Sequence, residues 1–318
     1  MHWAPTSLAA AGATAVVLHV ALTALFPAVA GRCKVDLIGL LWRLALRPLG
    51  QLRLRLLRLY QQAQVLYVSE AGVATRLARL PPQPEGSVRC VCISDTHLQH
   101  RLVQVPKGDL LLHAGDVLLE SHGADERALA VLADFNRWLA EQPHGHKVVI
   151  AGNHDGALAE LGAAEVQRLL PAATYLQDRS VEVAGLRVHG SPLSVGRSGN
   201  CAFQSQGGYD ERAALAAVPR GLDVLLTHGP PGRAGSALGR ASGALQECAT
   251  VAQPRYHVFG HDHLGFGTAV TAWGGLRVNA SSADGLFAVS HPPVVFDAAP
   301  KAREKPRHDR SRGLGSDE

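Results

Sequence analysis

Five short stretches of this 318-residue chain carry side chains of the kinds that bind divalent metal ions, and each closes an apolar run. Asp95 and His97 follow Val88–Ser94, Asp116 follows Asp109–His113, and Asn153, His154 and Asp155 follow Lys147–Ala151. Further on, His228 follows Leu222–Thr227, while His261 and His263 follow His257–Gly260. With His154 and Asp155 set aside, the donors are two carboxylates, one amide oxygen and four imidazoles. That mixture suits ions of intermediate hardness such as Mn, Fe or Zn. Seven donors are too many for one catalytic ion that keeps a position open, but they suit two ions sharing a bridging carboxylate. Two ions ~3.5–4 Å apart polarise phosphoryl oxygens and lower the pKa of a bridging water, yielding a hydroxide for in-line attack. The chemistry indicated is hydrolysis of a phosphoester.

Taken singly, these motifs mean little. A D-x-H or G-D after a strand is usually a turn or cap, and G-N-H is common by chance. Five in order, each at the end of an apolar run, are hard to explain as turns. Other histidines, such as His113 and His257, sit on strands without that context and read as core or surface residues.

The elements that must position the motifs follow from hydrophobic periodicity. Strands are expected at Val88–Ser94, Asp109–His113 and Lys147–Ala151, with helices at Asp125–Glu141 and Leu158–Leu170. Later strands are expected at Val181–Val183, Leu186–His189, Leu222–Thr227, His257–Gly260, Leu276–Asn279, Leu286–Val289 and Val294–Phe296. Helices fall near Asp210–Val218 and Gly243–Ala252. The early alternation implies an α/β core, and the strand-rich second half implies a second, partly antiparallel sheet. In sheets flanked by helices, ligands bind beyond the carboxyl ends of the strands, so five such turns can converge on one site.

Charge is unevenly spread. The net charge of +4 divides into +6 over residues 1–85, −4 over 86–298 and +2 over 299–318, so no nucleic acid polymer is expected as a partner of the body. Leu8–Ala30 holds no formal charge and is long enough to span a bilayer, with basic residues only after it. It fits an anchor that leaves the catalytic part in the cytosol. Ala28-Val29-Ala30 also fits a signal-peptidase site, and the arginine-rich, acid-poor start fits an organellar transit segment. Leu52, Leu56, Leu59, Ala63 and Leu66 share one helical face opposite Arg55 and Arg58, a basic amphipathic pattern suited to an anionic membrane surface or to packing on the body. The five cysteines are odd in number and scattered, which argues against a disulfide framework, and Cys90 and Cys92 read as one face of a buried strand. The expected organisation is 1–80 as anchor or targeting segment with the amphipathic helix, 81–87 as a Pro-rich linker, 88–298 as the catalytic domain, and 299–318 as a charged disordered tail.

With these residues in view, the chain resembles the calcineurin-like metallophosphoesterases, whose blocks read D-x-H, G-D, G-N-H-[DE], H and G-H-x-H. Within them it resembles the metallophosphoesterase-domain-containing branch, related to cyclic-nucleotide phosphodiesterases. Ile93-Ser94-Asp95-Thr96-His97, Val149-Ile150-Ala151-Gly152-Asn153-His154, Leu226-Thr227-His228-Gly229-Pro230-Pro231 and His257-Val258-Phe259-Gly260-His261 carry the finer likeness, which covers about residues 88–297. The resemblance implies a two-sheet mixed β sandwich flanked by helices, in four layers, here with an N-terminal hydrophobic and amphipathic helical extension. It implies that Asp95, His97 and His263 hold a first ion, that Asn153, His228 and His261 hold a second, and that Asp116 bridges them. It makes His154 the general acid at the leaving group and gives Asp155 the task of orienting or charge-stabilising groups near it.

Three departures bear on substrate. Asp116 is followed by Val117-Leu118-Leu119-Glu120-Ser121, without the D-R-G whose arginine grips phosphate in the protein-phosphatase branch. Asp155 stands where the branch usually has Glu, and Cys201 where it has an aromatic. The function expected is hydrolysis of a phosphodiester, with a cyclic nucleotide as a candidate. The alternatives are a phosphomonoesterase acting on a phosphoprotein, lipid head group or metabolite, and a non-catalytic scaffold, whose signature of lost ligands is absent.

Overall fold

The computed structural model describes residues 64–119, 123–194, 200–232 and 241–300. Leu8–Ala30, the leucine and arginine segment as far as Ala63, and the tail from Lys301 lie outside the described residues. In chain order the strands are β1 (Val65–Val68), β2 (Ala74–Leu77), β3 (Val88–Ile93), β4 (Leu110–His113), β5 (His146–Val149), β6 (Thr174–Tyr175), β7 (Arg179–Val183) and β8 (Leu186–Ser191). They continue with β9 (Val224–Thr227), β10 (Tyr256–Phe259), β11 (Gly267–Val270), β12 (Leu276–Asn279) and β13 (Val294–Ala298). The helices are α1 (Glu126–Glu141), α2 (Gly156–Leu169), α3 (Glu211–Ala216) and α4 (Gly243–Ala252).

β3 shows how sequence becomes layers. Successive side chains of a strand face opposite ways. Cys90 and Cys92 point to one side, where they meet Val188, Val224, Leu226 and Val258 of the other sheet. Val91 and Ile93 point to the opposite side, against Leu132, Phe135 and Leu139 of α1 and Leu158 of α2. Both faces are therefore covered, which is why the strand reads as a continuous apolar run. On the far side of the second sheet, Leu222 and Leu225 pack on Ala249 of α4. The result is helix, sheet, sheet, helix.

The first sheet has the order β2-β1-β13-β3-β4-β5-β6 and the second β11-β12-β10-β9-β8-β7. Both are mixed. β3, β4, β5 and β6 run parallel, and so do β8, β9, β10 and β12, while β13, β7 and β11 pair antiparallel with β3, β8 and β12. The neighbouring parallel strands put their carboxyl ends at one rim. α1 is started by Asp125, whose side chain accepts the N–H of Ala128 at 2.8 Å, and it buries Leu132, Phe135 and Leu139 at helical spacing.

Three expectations are corrected. Leu66 is not on a helix: it lies in β1, which pairs in parallel with β13, so the sheet begins before residue 88. The Pro-rich segment 81–87 joins β2 to β3 of one sheet and is pinned there, with Gln83 donating to Asp109 at 2.6 Å. Leu286–Val289 is a loop rather than a strand, because the Asp284 carboxylate accepts the N–H groups of Leu286 and Ala288 and turns the chain. Among the described residues, no helix is long and apolar enough to cross a membrane.

Candidate metal centre

Each motif sits just past the carboxyl end of its strand: Asp95 and His97 after β3, Asp116 after β4, Asn153 after β5, His228 after β9, and His261 and His263 after β10. The turns are bonded to one another. Asp95 N–H donates to the Gly115 carbonyl at 2.9 Å, and His97 N–H to the Asp116 carbonyl at 3.1 Å. Asp95, His97, Asp116 and His261 all have left-handed backbone, with φ of 53°, 42°, 56° and 65°. Such conformations cost a non-glycine residue about 1–3 kcal/mol and persist where the surroundings over-determine them. Glycines clear the space: a Cβ on Gly152 would overlap the Asp116 carboxylate and the His228 ring, and one on Gly260 would overlap Ser94 and Asp95.

Two clusters result, Asp95 with His97 and His263, and Asp116 with His228 and His261; within each, the donor atoms lie within 4.8 Å of one another. In the first, His263 Nε2 is 3.3 Å from Asp95 Oδ1 and 3.2 Å from His97 Nε2. In the second, His228 Nε2 is 3.2 Å from Asp116 Oδ2. Asn153 Oδ1 joins it, 3.1 Å from His228 Nε2 and 2.8 Å from His261 Nδ1. Asp116 Oδ2 also lies 3.8 Å from His97 Nε2, so one carboxylate faces both clusters.

The donor set fits divalent ions. His97, His228 and His263 direct Nδ1 at the carbonyls of Leu118, Ala114 and Asp284, at 2.9, 2.8 and 3.1 Å. A carbonyl only accepts, so Nδ1 carries the proton and the Nε2 lone pair faces inward, as in metal-ligating histidines. Lone pairs of His228, Asn153 and Asp116 then converge, which requires a cation or an added proton between them. Burial opposes charge on His228, but the adjacent Asp116 and Asp95 carboxylates prevail and push its pKa up to about 9. Burial likewise works against charge on Asp95, yet His263, His228 and His97 hold it well below the usual carboxylate range. Asp116 is depressed in the same way against its own burial, chiefly by His228. His261 is pushed down to about 4 by burial and then by His228.

Asp155 acts on the turns beside it. Its carboxylate is buried behind the centre and accepts the N–H groups of Asp116, Leu118 and Gly152 at 2.9, 2.8 and 2.8 Å. It ties the turn after β4 to the turn after β5. Burial first, and the Asp116 charge second, push its pKa up to about 7 against those donors. His154 is half-buried at the edge of the second cluster: its N–H donates to Asp116 Oδ1 at 2.9 Å, its Nδ1 faces the Leu119 carbonyl, and its ring centre is 4.8 Å from that of His97.

Two residues at the centre escaped the sequence reading. The Asn200 carbonyl accepts Asn153 Nδ2–H at 3.1 Å, which turns Asn153 Oδ1 inward, and Asn200 Nδ2 lies 3.0 Å from His154 Nδ1. The Phe287 ring stands 5.0, 5.7 and 4.9 Å from those of His97, His154 and His263. A lone Asn between Gly and Cys carries no pattern, and Phe287 was hidden in an apolar run. His113 and His257 are core residues as expected, bonded at 3.1 and 2.9 Å to Thr96 and Thr227, the threonines beside Asp95 and His228. Cys90 and Cys92 are buried free thiols.

A family model described as calcineurin-like phosphoesterase matches residues 88–265. The human metallophosphoesterase domain-containing protein 1 is 35% identical over 252 residues, covering 68% of this chain and 72% of its own length, and the mouse protein of that name gives the same figures. A UPF0046 protein of Caenorhabditis elegans is 36% identical over 239 residues, covering 67% of this chain and 82% of its own.

Proposed function

The chain belongs to the calcineurin-like phosphoesterase family and is a metal-dependent phosphoester hydrolase, and from that premise we propose that it cleaves a phosphodiester, with a cyclic nucleotide as a candidate substrate. The observation that carries this reading is the single carboxylate of Asp116 facing both donor clusters beside His154. Asp95, His97 and His263 would hold one divalent ion, Asn153, His228 and His261 the other, with Asp116 shared. Two bound ions supply Lewis acidity, stabilising charge on the phosphoryl oxygens and acidifying a water.

The remaining steps fall to the chain's own side chains. With Nδ1–H donated to the Leu119 carbonyl, His154 acts as general acid in its imidazolium form, whose second proton, on Nε2, goes to the departing ester oxygen. Asp155 holds Asp116 in register through the backbone. A diester is favoured over a monoester by the residues after Asp116: Val117 and Leu118 are buried and apolar, and offer no cation for the extra charge of a monoester. The basic excess of residues 1–85 and the uncharged Leu8–Ala30 support tethering of the enzyme to a membrane.

The test uses the full chain loaded with Mn²⁺. Bis-aryl phosphate should turn over faster than mono-aryl phosphate, and Asp116→Asn should lower turnover by about 10³-fold, several kcal/mol of charge stabilisation. Faster turnover of the mono-aryl ester would replace the diester reading with the monoester one, and unchanged turnover in Asp116→Asn would remove Asp116 from the chemistry.

A further inference from the structure

Large apolar side chains gather on the rim of the metal centre. Leu98 follows His97 and is 37% exposed; Leu264 follows His263 and is 69% exposed; Leu286 and Phe287 are 77% and 42% exposed. Single exposed leucines are ordinary, whereas a contiguous group beside a reaction centre marks a contact surface. The loop that carries Leu286 and Phe287 is joined to the segments that carry Leu264 and Leu98. Leu264 packs on Gly285, where an added Cβ would come 3.0 Å from Leu264 Cδ2. Gln99, next to Leu98, donates to the Phe287 carbonyl at 2.7 Å.

The loop is built into the centre rather than draped over it. The Asp284 carbonyl accepts from the ligand-candidate His263 at 3.1 Å and from Phe287 N–H at 2.9 Å, and the Asp284 carboxylate accepts Leu286 N–H at 2.9 Å. Phe287 is held at φ 57°, a strained backbone for an aromatic residue, with its ring against His97, His154 and His263 and one side open to solvent.

We propose that Phe287, Leu286, Leu264 and Leu98 form the recognition surface for the apolar alcohol group of the substrate ester, so that the enzyme selects phosphoesters of alkyl alcohols over those of polar alcohols, nucleosides included, which sets an alkyl phosphodiester ahead of the cyclic-nucleotide candidate. The proposal rests on the phosphoester hydrolase assignment and on His154 as the acid. Water oxygen bonds to phosphorus, the P–O bond to the alcohol breaks with its electron pair left on oxygen, and the His154 proton completes the free alcohol. The proton released by the attacking water restores His154. The ring of Phe287, beside His154, is where the departing alkyl chain lies.

Binding of methyl-, butyl- and octylphosphonate to the Mn²⁺-loaded full chain, measured by calorimetry, tests this without requiring turnover. Affinity should rise about twofold per methylene from methyl to butyl, roughly half the free energy of complete burial because the surface is open on one side. Phe287→Ala and Leu286→Ser should each flatten that rise; Leu286 is too exposed for its loss to unfold the chain. Equal affinity for methyl and butyl chains, or a rise unchanged in both variants, overturns the proposal. So does a uniform loss confined to Phe287→Ala, which would make the ring a brace for the histidines. A chain-length effect seen only above the micelle-forming concentration of the octyl compound would assign the surface to a lipid aggregate, and overturn it too. Diester turnover without a chain-length effect sinks this inference alone, whereas a chain-length effect without diester turnover sinks the diester reading alone.

Discussion

Asn153 and Asn200 show what one residue's environment decides. An amide offers an oxygen and an NH₂ of nearly equal shape, and only the oxygen is a metal donor. The Asn200 carbonyl takes the NH₂ of Asn153 and leaves the oxygen facing His228 and His261. Because that contact comes from the backbone, Asn200→Ala keeps it and removes only the amide beside His154. We therefore expect Asn200→Ala to lower kcat by about tenfold, the size of a lost positioning contact, with the metal content unchanged. Steady-state kinetics alongside metal analysis checks this; loss of metal instead would show that the side chain supports Asn153. The motif residues Asp95, His97, Asp116, His228 and His263 were legible because side chains of those types follow apolar runs. Asn200 was not, since nothing in its neighbours signals a return of the chain to the site.

At the scale of elements, the turns after β4 and β5 are one assembly. Asp155 spans them through N–H bonds to both, and Gly152 is the point where backbone must pass the Asp116 carboxylate and the His228 ring. Gly152→Ala should displace those two donors while leaving the first cluster in place. Mn²⁺ bound per chain should fall from about two to about one, and near-ultraviolet circular dichroism should be retained, since α1 and α2 pack elsewhere on β3 to β5. Two ions retained in Gly152→Ala would mean that the turn yields without moving a ligand. Strand ends were readable as switches from apolar to polar residues. The Leu286–Val289 segment reads as a strand because its unbroken apolar run mimics one, and only the Asp284 side chain, bonded to the backbone of that loop, makes it a turn.

For the whole molecule, the decisive contact joins residues 228 apart in the chain: Leu66 of β1 lies beside Val294 of β13 and inserts into the core between the sheets, with Val68 1% exposed. Tyr67 donates to Asp297 at 3.0 Å, and Arg89 holds the same carboxylate at 2.8 Å. A fragment beginning at residue 86 should therefore be less stable than one beginning at Gln64, by on the order of 5 kcal/mol for three buried apolar side chains, and prone to association through the bared edge of β13. Urea denaturation compares them, and equal midpoints would show that β1 and β2 are dispensable. The sequence by itself determined the family, the α/β layering and seven candidate ligands, because these depend on local periodicity and on residue types at strand ends. It misplaced the start of the sheet, since Leu66 continues a leucine spacing that suits a helix as well as a strand until β13 arrives to pair with it. The family resemblance already sorted the donors into two sets, whereas that Asp155 serves the Asp116 turn and that Asn200 and Phe287 stand at the centre is visible only in the tertiary structure. Those facts are distances between segments far apart in the chain, and local patterns carry no information about them.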